Sequence, residues 1–470
     1  MRDVATARAY ARSAARRLAG AVPGGRAEAW QWELTSRRRL REAPRGPEPG
    51  SPSDDPVARP GPLPPVAAGA TSVVLLLGTP GNGGATAAAA FLARGMAARG
   101  LRVSLWHNGP ATDPGTCPAP LRGLDQVGVD LRPVARGQLA SRLREVAADV
   151  VSAHAPAGWM VREAATAGVP VVQTLHRSLL LPDGEEAVDD PFVTLVVAVS
   201  ETARCRYLRA CPDRDPAAVH VIPNGLAIGS DLPPREASRR WLGLGDEPLL
   251  LALGRFSSEK NPLGVIRAFA RVAAAHADAR LLMVGDVADP LLLLRARTLL
   301  VRDPARARVH VRRHSDRVPA LLAAADGLVL DSFVEGWPLA SMEAIRAGLP
   351  VVMSDVGGAR EQLGPDGGRG HLVPNPAGGS LEVDWATIAR LGPRRQVNED
   401  ELVRAVLAVL DDRNVWAARR PALVESARAL FAPDECVDSH VRVHVTAAAA
   451  SGTPAALGAV RTVRAAGRTW

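Results

Sequence analysis

Two carboxylates and two cations stand at spacings that suit one chemistry. Glu335 and Glu343 lie in DSFVEGWPLASMEAIRAGLPVVMSDVGGARE at 331–361, with seven residues between them. Apolar LVL precedes this segment and LPVVM sits near its middle, so it reads as strand, loop, helix, strand. Pro338 suits the first helical position and Gly348 before Leu349-Pro350 is a stop. Glu335 then falls in the loop and Glu343 inside the helix, on the order of 10 Å apart along the axis. That is too far for a glycosidase pair, whose carboxyls stand roughly 5–9.5 Å apart. It suits two carboxylates gripping different parts of one hydroxyl-rich ligand, with an anion at the helix N-terminus between them.

The cations are Arg255 and Lys260, in LLLALGRFSSEKNPLGVIRAF. Of 57 Lys plus Arg, Lys260 is the one lysine. A compact ammonium kept where arginine serves everywhere else points to phosphate binding. LLLAL at 249–253 reads as a buried strand, Gly254 as the turn, Ser257 or Ser258 as a helix cap, and Pro262 onward as an amphipathic helix. Two cations in a strand-to-helix loop make a diphosphate site. A surface arginine and a surface lysine are the plain alternative, which their pairing in one loop disfavours.

The elements around these residues read as two α/β halves. The first opens at Thr71 with SVVLLLGTPGNGGATAAAAFLARGMAARGLRVSLW: strand, glycine turn, helix, strand. The turn at 78–84 lacks the Lys-Ser/Thr of a P-loop and the GxGxxG of a dinucleotide fold. It either lets an anion or sugar approach through Gly83 and Gly84 or is only a tight turn. His154 and His176 follow apolar runs, the place where open parallel sheets bind ligands. His176 is the stronger candidate, and His154 reads equally as a buried, hydrogen-bonded histidine. The second half runs through strands at 249–253, 280–285, 308–312 and 327–330 and helices at 262–276, 290–301 and 317–325, then the glutamate segment. Residues 377–398 read as an inserted loop, helices follow at 400–411 and 414–431, and the tail from 447 reads as loose. The domains are thus 1–70, an Arg-rich helical extension with a Pro/Gly-rich linker; 71–232; 246–431; and 432–470.

Composition excludes several classes. The chain has 470 residues and a net charge of +8, but residues 1–45 alone carry 11 arginines against 4 acids, so the body is nearly balanced and nucleic acid is not an expected partner. Four cysteines show no zinc spacing and fit a reducing compartment. No run of 18 apolar residues and no secretory pattern is present, so the expected address is cytoplasmic. The cluster Arg37-Arg38-Arg39 with Arg41 offers a peripheral contact to the inner membrane face, though a solvated charge run is the simpler reading. Asp213-Arg214-Asp215 reads as a loop between prolines, and His440 and His444 have i,i+4 spacing without a third ligand, so no metal site is expected.

From 71 to about 440 the chain resembles the retaining glycosyltransferases of family 4. The resemblance is carried by Gly254-Arg255 through Lys260-Asn261-Pro262, LLMVGD at 281–286, LLAAADGLVLDS at 321–332 and the glutamate segment. More loosely it is carried by Gly83-Gly84, QTLH at 173–176, Ser200 and PNG at 223–225. It implies the GT-B fold, two Rossmann-like parallel-sheet domains facing a cleft, and a nucleoside-diphosphate sugar as co-substrate with no further cofactor and no metal. Carried over, Arg255 and Lys260 would neutralise the diphosphate, Glu343 would accept from ribose hydroxyls, Glu335 would contact the sugar, and the Gly336-Trp337-Pro338-Leu339 stretch would meet phosphate. His176 would approach the donor sugar. The acceptor stays unidentified: glycan, lipid-linked or small molecule. The chain departs from the family pattern at Ala85-Thr86, Ala227 and Arg313-His314. A homologue that binds the nucleotide sugar without transferring it, in a regulatory or scaffold role, is the alternative.

Overall fold

The computed structural model describes residues 71–110, 117–177, 189–226, 232–301, 303–313, 315–379 and 383–450. The expectations for 1–70, including the membrane contact, lie outside the described residues.

Thirteen strands among them form two sheets, every pairing parallel. The first contains β1 (Ser72–Leu77), β2 (Arg102–His107), β3 (Asp130–Pro133), β4 (Val150–His154), β5 (Val171–Leu175), β6 (Leu195–Ala198) and β7 (Val219–Val221), in the order β3-β2-β1-β4-β5-β6-β7. The second contains β8 (Leu249–Leu253), β9 (Arg280–Val284), β10 (Val309–Arg312), β11 (Gly327–Leu330), β12 (Val351–Ser354) and β13 (Gly370–Val373), in the order β10-β9-β8-β11-β12-β13. Each order reverses direction once, between β1 and β4 and between β8 and β11. Such switch points leave a crevice at the carboxyl ends of the strands.

Both faces of the first sheet are covered, so its strands read as continuous apolar runs rather than alternating ones. Val73, Leu75 and Leu77 pack on one side in a cluster with the helix Gly84–Ala98 and with Val437, Val443 and Ala447 of the helix Pro433–Ala450. Val74 and Leu76 pack on the other side with Trp106, Met160 and Tyr207. In the second sheet, Leu281, Met283, Val309 and Val311 join Ile266, Phe269 and Val272 of the helix Pro262–Ala275.

The described residues group into two units. Among them, one unit takes residues between 71 and 226, the segment Glu335–Leu339 and residues 428–450; the other takes residues between 232 and 334 and between 340 and 427. The short segment goes with the first sheet because its residues pack there: Trp337 meets Phe431 edge-on, with ring centroids 6.3 Å apart.

Two expectations need correction. Residues 377–398 are not a plain loop: Trp385–Leu391 is helical, its Asp384 cap accepts from the Thr387 amide at 2.7 Å, and Val383, Ile388, Gln396 and Asn398 are buried. The tail is not loose from 447, since the helix Pro433–Ala450 buries Ala447 and Ala448 against the first sheet's core. Among the described residues no helix is long and apolar enough to cross a membrane.

Candidate functional site

A pocket opens at the carboxyl ends of β8, β9, β10 and β11, the switch point of the second sheet. Its wall includes Gly254, Arg255, Lys260, Gly285, Asp331 and Ser332. Two glycines make its floor. Gly254 has φ +155, and a Cβ on Gly285 would lie 1.8 Å from the Gly254 carbonyl oxygen. The strands can close this tightly only because Gly285 has no side chain, while Gly254 holds a positive φ that residues with a Cβ rarely adopt.

The cation loop is held from behind. Ser258–Lys260 forms a single tight turn, and Asn261 follows with φ 48 and ψ 47, in the left-handed region. Asn261, not Ser257 or Ser258, caps the helix Pro262–Ala275: its Oδ1 accepts from the Gly264 amide at 3.3 Å. Asparagine tolerates this conformation better than serine, and the cap sits three or four residues later than the sequence suggests. The Asn261 Nδ2 donates to Asp331 Oδ2 at 2.8 Å, and Asn398 Nδ2 donates to Asp331 Oδ1 at 2.7 Å. Burial, the dominant cause, pushes the Asp331 carboxyl up to about 7; the two amide donors and nearby Arg267 work against it. The Phe333 amide donates to the Glu259 carbonyl at 2.8 Å, tying the end of β11 to the same loop. Sequence reading missed Asp331, Asn261 and Asn398. Asn261 before Pro262 was the available signal, since an Asn-Pro pair favours a turn.

Arg255 is the exposed member: its side chain is 60% accessible and its Nη2 meets Glu259 Oε1 at 2.9 Å. In this state the guanidinium is neutralised by its own loop. Glu343 is the fifth residue of the helix Leu339–Arg346, and burial pushes its carboxyl up to about 7. At neutral pH it is thus poised between carboxylate and acid, able to accept from or donate to a hydroxyl.

The remaining candidates belong to the unit of the first sheet. Glu335 is buried at 8% exposure, and Trp337 is buried against Phe431. A Cβ on Gly336 would come 2.2 Å from the His176 carbonyl oxygen, so Gly336 is the residue that lets this segment lie against the end of β5. Pro338 precedes the first residue of the helix Leu339–Arg346, and a Cβ on Gly84 would stand in ordinary contact with the Leu339 side chain at 3.8 Å. Gly83 is the N-cap residue of the helix Gly84–Ala98, extended at φ −91, with no side-chain cap. The glycine that the turn demands is Gly78, where a Cβ would meet the Ala155 oxygen at 2.5 Å and the amide donates to that oxygen at 3.1 Å.

His176 lies just past β5 and His154 ends β4. His154 Nδ1 and His176 Nε2 are 2.8 Å apart, and Ser152 Oγ stands 2.9 Å from His154 Nε2. Burial first, then the Arg177 charge, lowers His176 to about 4, so it is neutral at pH 7. The helix Pro433–Ala450 brings His440 and His444 to the same buried cluster. No cluster of three or more His, Cys, Asp or Glu side chains among the described residues could hold a metal ion.

Comparison with known proteins agrees with this architecture. A family model described as glycosyl transferases group 1 matches residues 234–382, and one described as glycosyltransferase family 4 matches 82–228. D-inositol 3-phosphate glycosyltransferase of Xylanimonas cellulosilytica is 30% identical over 58% of this chain and 73% of its own. The enzyme of that name from Actinosynnema mirum is 31% identical over 51% of this chain, which spans only 62% of that relative's length. Among solved structures, a glycosyltransferase from Rickettsia africae matches with a TM-score of 0.66 at 14% identity, over 81% of this chain and 99% of its own. The Anabaena protein HepE, solved with UDP and glucose, matches with a TM-score of 0.61 at 20% identity, over 78% of this chain and 99% of its own.

Proposed function

Because the chain belongs to glycosyltransferase family 4, with the GT-B fold, we propose that it transfers a sugar from a nucleoside-diphosphate sugar to an acceptor hydroxyl, with retention and without a metal ion. The observation that carries this reading is the cation loop: Arg255 and Lys260 line a pocket at a switch point, on a turn anchored through Asn261 to buried Asp331.

The chemistry follows from charge. As the bond from the sugar's anomeric carbon to the diphosphate breaks, the sugar becomes oxocarbenium-like and the departing diphosphate gains negative charge. Fixed cations stabilise that charge without reorganising during the reaction. The ammonium of Lys260 meets phosphate as a compact charge, and Arg255 can exchange Glu259 for a phosphate oxygen. The acceptor oxygen then bonds to the anomeric carbon, and its proton leaves with the diphosphate on the same face. Glu343 holds ribose hydroxyls and Glu335 the transferred sugar. His176, neutral, offers the sugar a hydrogen bond rather than a charge.

The test is turnover of the full chain with a panel of nucleoside-diphosphate sugars and acceptors, the product's anomeric configuration read by NMR and the rate measured with and without a chelator. UDP-glucose heads the donor panel because HepE has also been solved with it. Inositol 3-phosphate heads the acceptor panel because it is named in the relatives' activity. A product of retained configuration and a chelator-insensitive rate support the proposal. Inverted product refutes retention, and tight donor binding without hydrolysis or transfer favours a silent binder.

A further inference from the structure

The histidines behind β4 and β5 form a cluster that donor binding alone does not explain. Ser152 and His154 alternate along β4, so their side chains emerge on one face of the sheet. Both are 0% exposed. In the parallel register His154 pairs with Thr174, which sets His176 two residues beyond that partner, just past the end of the neighbouring strand. The rings of His154 and His176 lie 5.1 Å apart, tilted by 31°. From the helix Pro433–Ala450, His440 and His444 close the cluster with ring centroids 6.0 Å apart, and both are fully buried. His444 Nδ1 donates to the His440 carbonyl at 2.6 Å, and neither His440 nitrogen has a partner among the described residues.

Every histidine in this group is driven toward the neutral form, chiefly by burial. For His154 the other three rings, and for His440 the rings of His444 and His176, add repulsion against a second charge. A neutral imidazole carries one N–H and one lone pair. The 2.8 Å approach of His154 Nδ1 to His176 Nε2 therefore needs a proton on one of the two nitrogens and not on the other. Only two proton arrangements satisfy the chain from Ser152 through His154 to His176.

The serine decides between them. Among the described residues the Ser152 hydroxyl has one partner, the His154 Nε2 at 2.9 Å. If Ser152 accepted there, its own buried proton would have no acceptor, and an orphaned buried donor is costly. If Ser152 donates, its proton is satisfied, His154 carries its proton on Nδ1, and that proton goes to His176 Nε2. His176 is then left with its proton on Nδ1. A free histidine side chain prefers the opposite tautomer, so the chain imposes what the ring would not choose alone.

We infer that Ser152 and His154 are positioning residues that fix His176 as its Nδ1–H tautomer, presenting a neutral hydrogen-bond donor to an oxygen of the ligand. The inference rests on the proposed transfer reaction for its purpose, but not for its test. His154 touches no substrate; it acts through His176. The C-terminal helix contributes by bringing the uncharged rings of His440 and His444 close to the pair.

The experiment is two-bond nitrogen–proton NMR on the histidine rings of the full-length protein, with His154→Gln, His154→Asn and Ser152→Ala beside the wild type. An asparagine amide can stand where Nδ1 stood, whereas glutamine reaches toward the Nε2 position. The wild type should show His176 protonated at Nδ1. His154→Asn should keep that pattern, and His154→Gln and Ser152→Ala should shift His176 toward Nε2–H. In turnover, His154→Gln should lower kcat about tenfold, the worth of one hydrogen bond lost in the transition state, with the donor KM little changed and most of the rate regained in His154→Asn. A wild-type spectrum with His176 protonated at Nε2 overturns the inference, as does a His176 tautomer that is the same in wild type and His154→Gln. The wild-type spectrum decides alone if a variant fails to fold. If the tautomers behave as stated while no donor is turned over, the transfer reading falls and the positioning chain stands.

Discussion

The buried histidines make the first unit sensitive to acid by an amount that can be worked out. His444 is 0% exposed, and burial lowers its folded pKa from 6.5 to about 4, against a weaker opposing hydrogen bond to the His440 carbonyl. A depressed folded pKa means that the unfolded chain binds the proton first. The stability this contributes is present above about pH 6.5, falls as pH drops toward 4, and falls no further below that. Between pH 7 and 5 the linkage relation gives a loss of about 2 kcal/mol for His444 alone. His154 and His440 are shifted in the same direction and add to it. The assay is peptide-resolved hydrogen exchange at pH 7 and pH 5, corrected for intrinsic rates. It reads the helix Pro433–Ala450 and strands β4 and β5 separately from the second sheet. Those peptides should lose protection on acidification. In His444→Leu, which cannot take the proton, the loss should be about twentyfold smaller, the ratio that about 2 kcal/mol represents. A wild type with equal protection at both pH values, or a His444→Leu variant with an undiminished acid response, would refute the reasoning.

Three further outcomes are expected. Asn261→Ala removes a hydrogen bond to buried Asp331 and puts a Cβ residue without a polar side chain at φ 48, so urea unfolding of the second unit should show a loss of about 2–4 kcal/mol. Asn261→Gly, which relieves the backbone alone, should recover only part of it. Glu259→Ala frees Arg255 from its exposed ion pair, and affinity for a nucleoside diphosphate should rise about twofold to fivefold at low salt and less at high salt. Gly285→Ala would force a Cβ to 1.8 Å from the Gly254 oxygen, so it should lower both the unfolding midpoint and nucleotide affinity, measured by denaturation and calorimetry.

The second sheet was the most legible part of the chain. Its strands are short, fully buried apolar runs between turn residues, and the observed LLLAL, RLLMV and GLVL fall within a residue of expectation. The Arg255–Lys260 loop was legible because a lone lysine and a strand-to-helix turn coincide. Its anchor was not, because Asn261, Asp331 and Asn398 meet only when the chain closes over distances of 70 and 67 residues. The helix Trp385–Leu391 was hidden by proline- and glycine-rich flanks and by a short, weak apolar pattern. His440 and His444 were visible as an i,i+4 pair, but nothing local says that their helix returns to the first sheet and covers His154 and His176. Local periodicity tells which face of a helix is buried, not which distant element buries it.

The most direct measurement is a calorimetric titration of the full chain with UDP, GDP, ADP and dTDP, beside Lys260→Ala and Glu343→Ala. The account predicts that one nucleotide binds best, that Lys260→Ala weakens every diphosphate alike, and that Glu343→Ala weakens binding through the ribose. Nucleotide binding that ignores both substitutions, or no binding by any of the four, would contradict it.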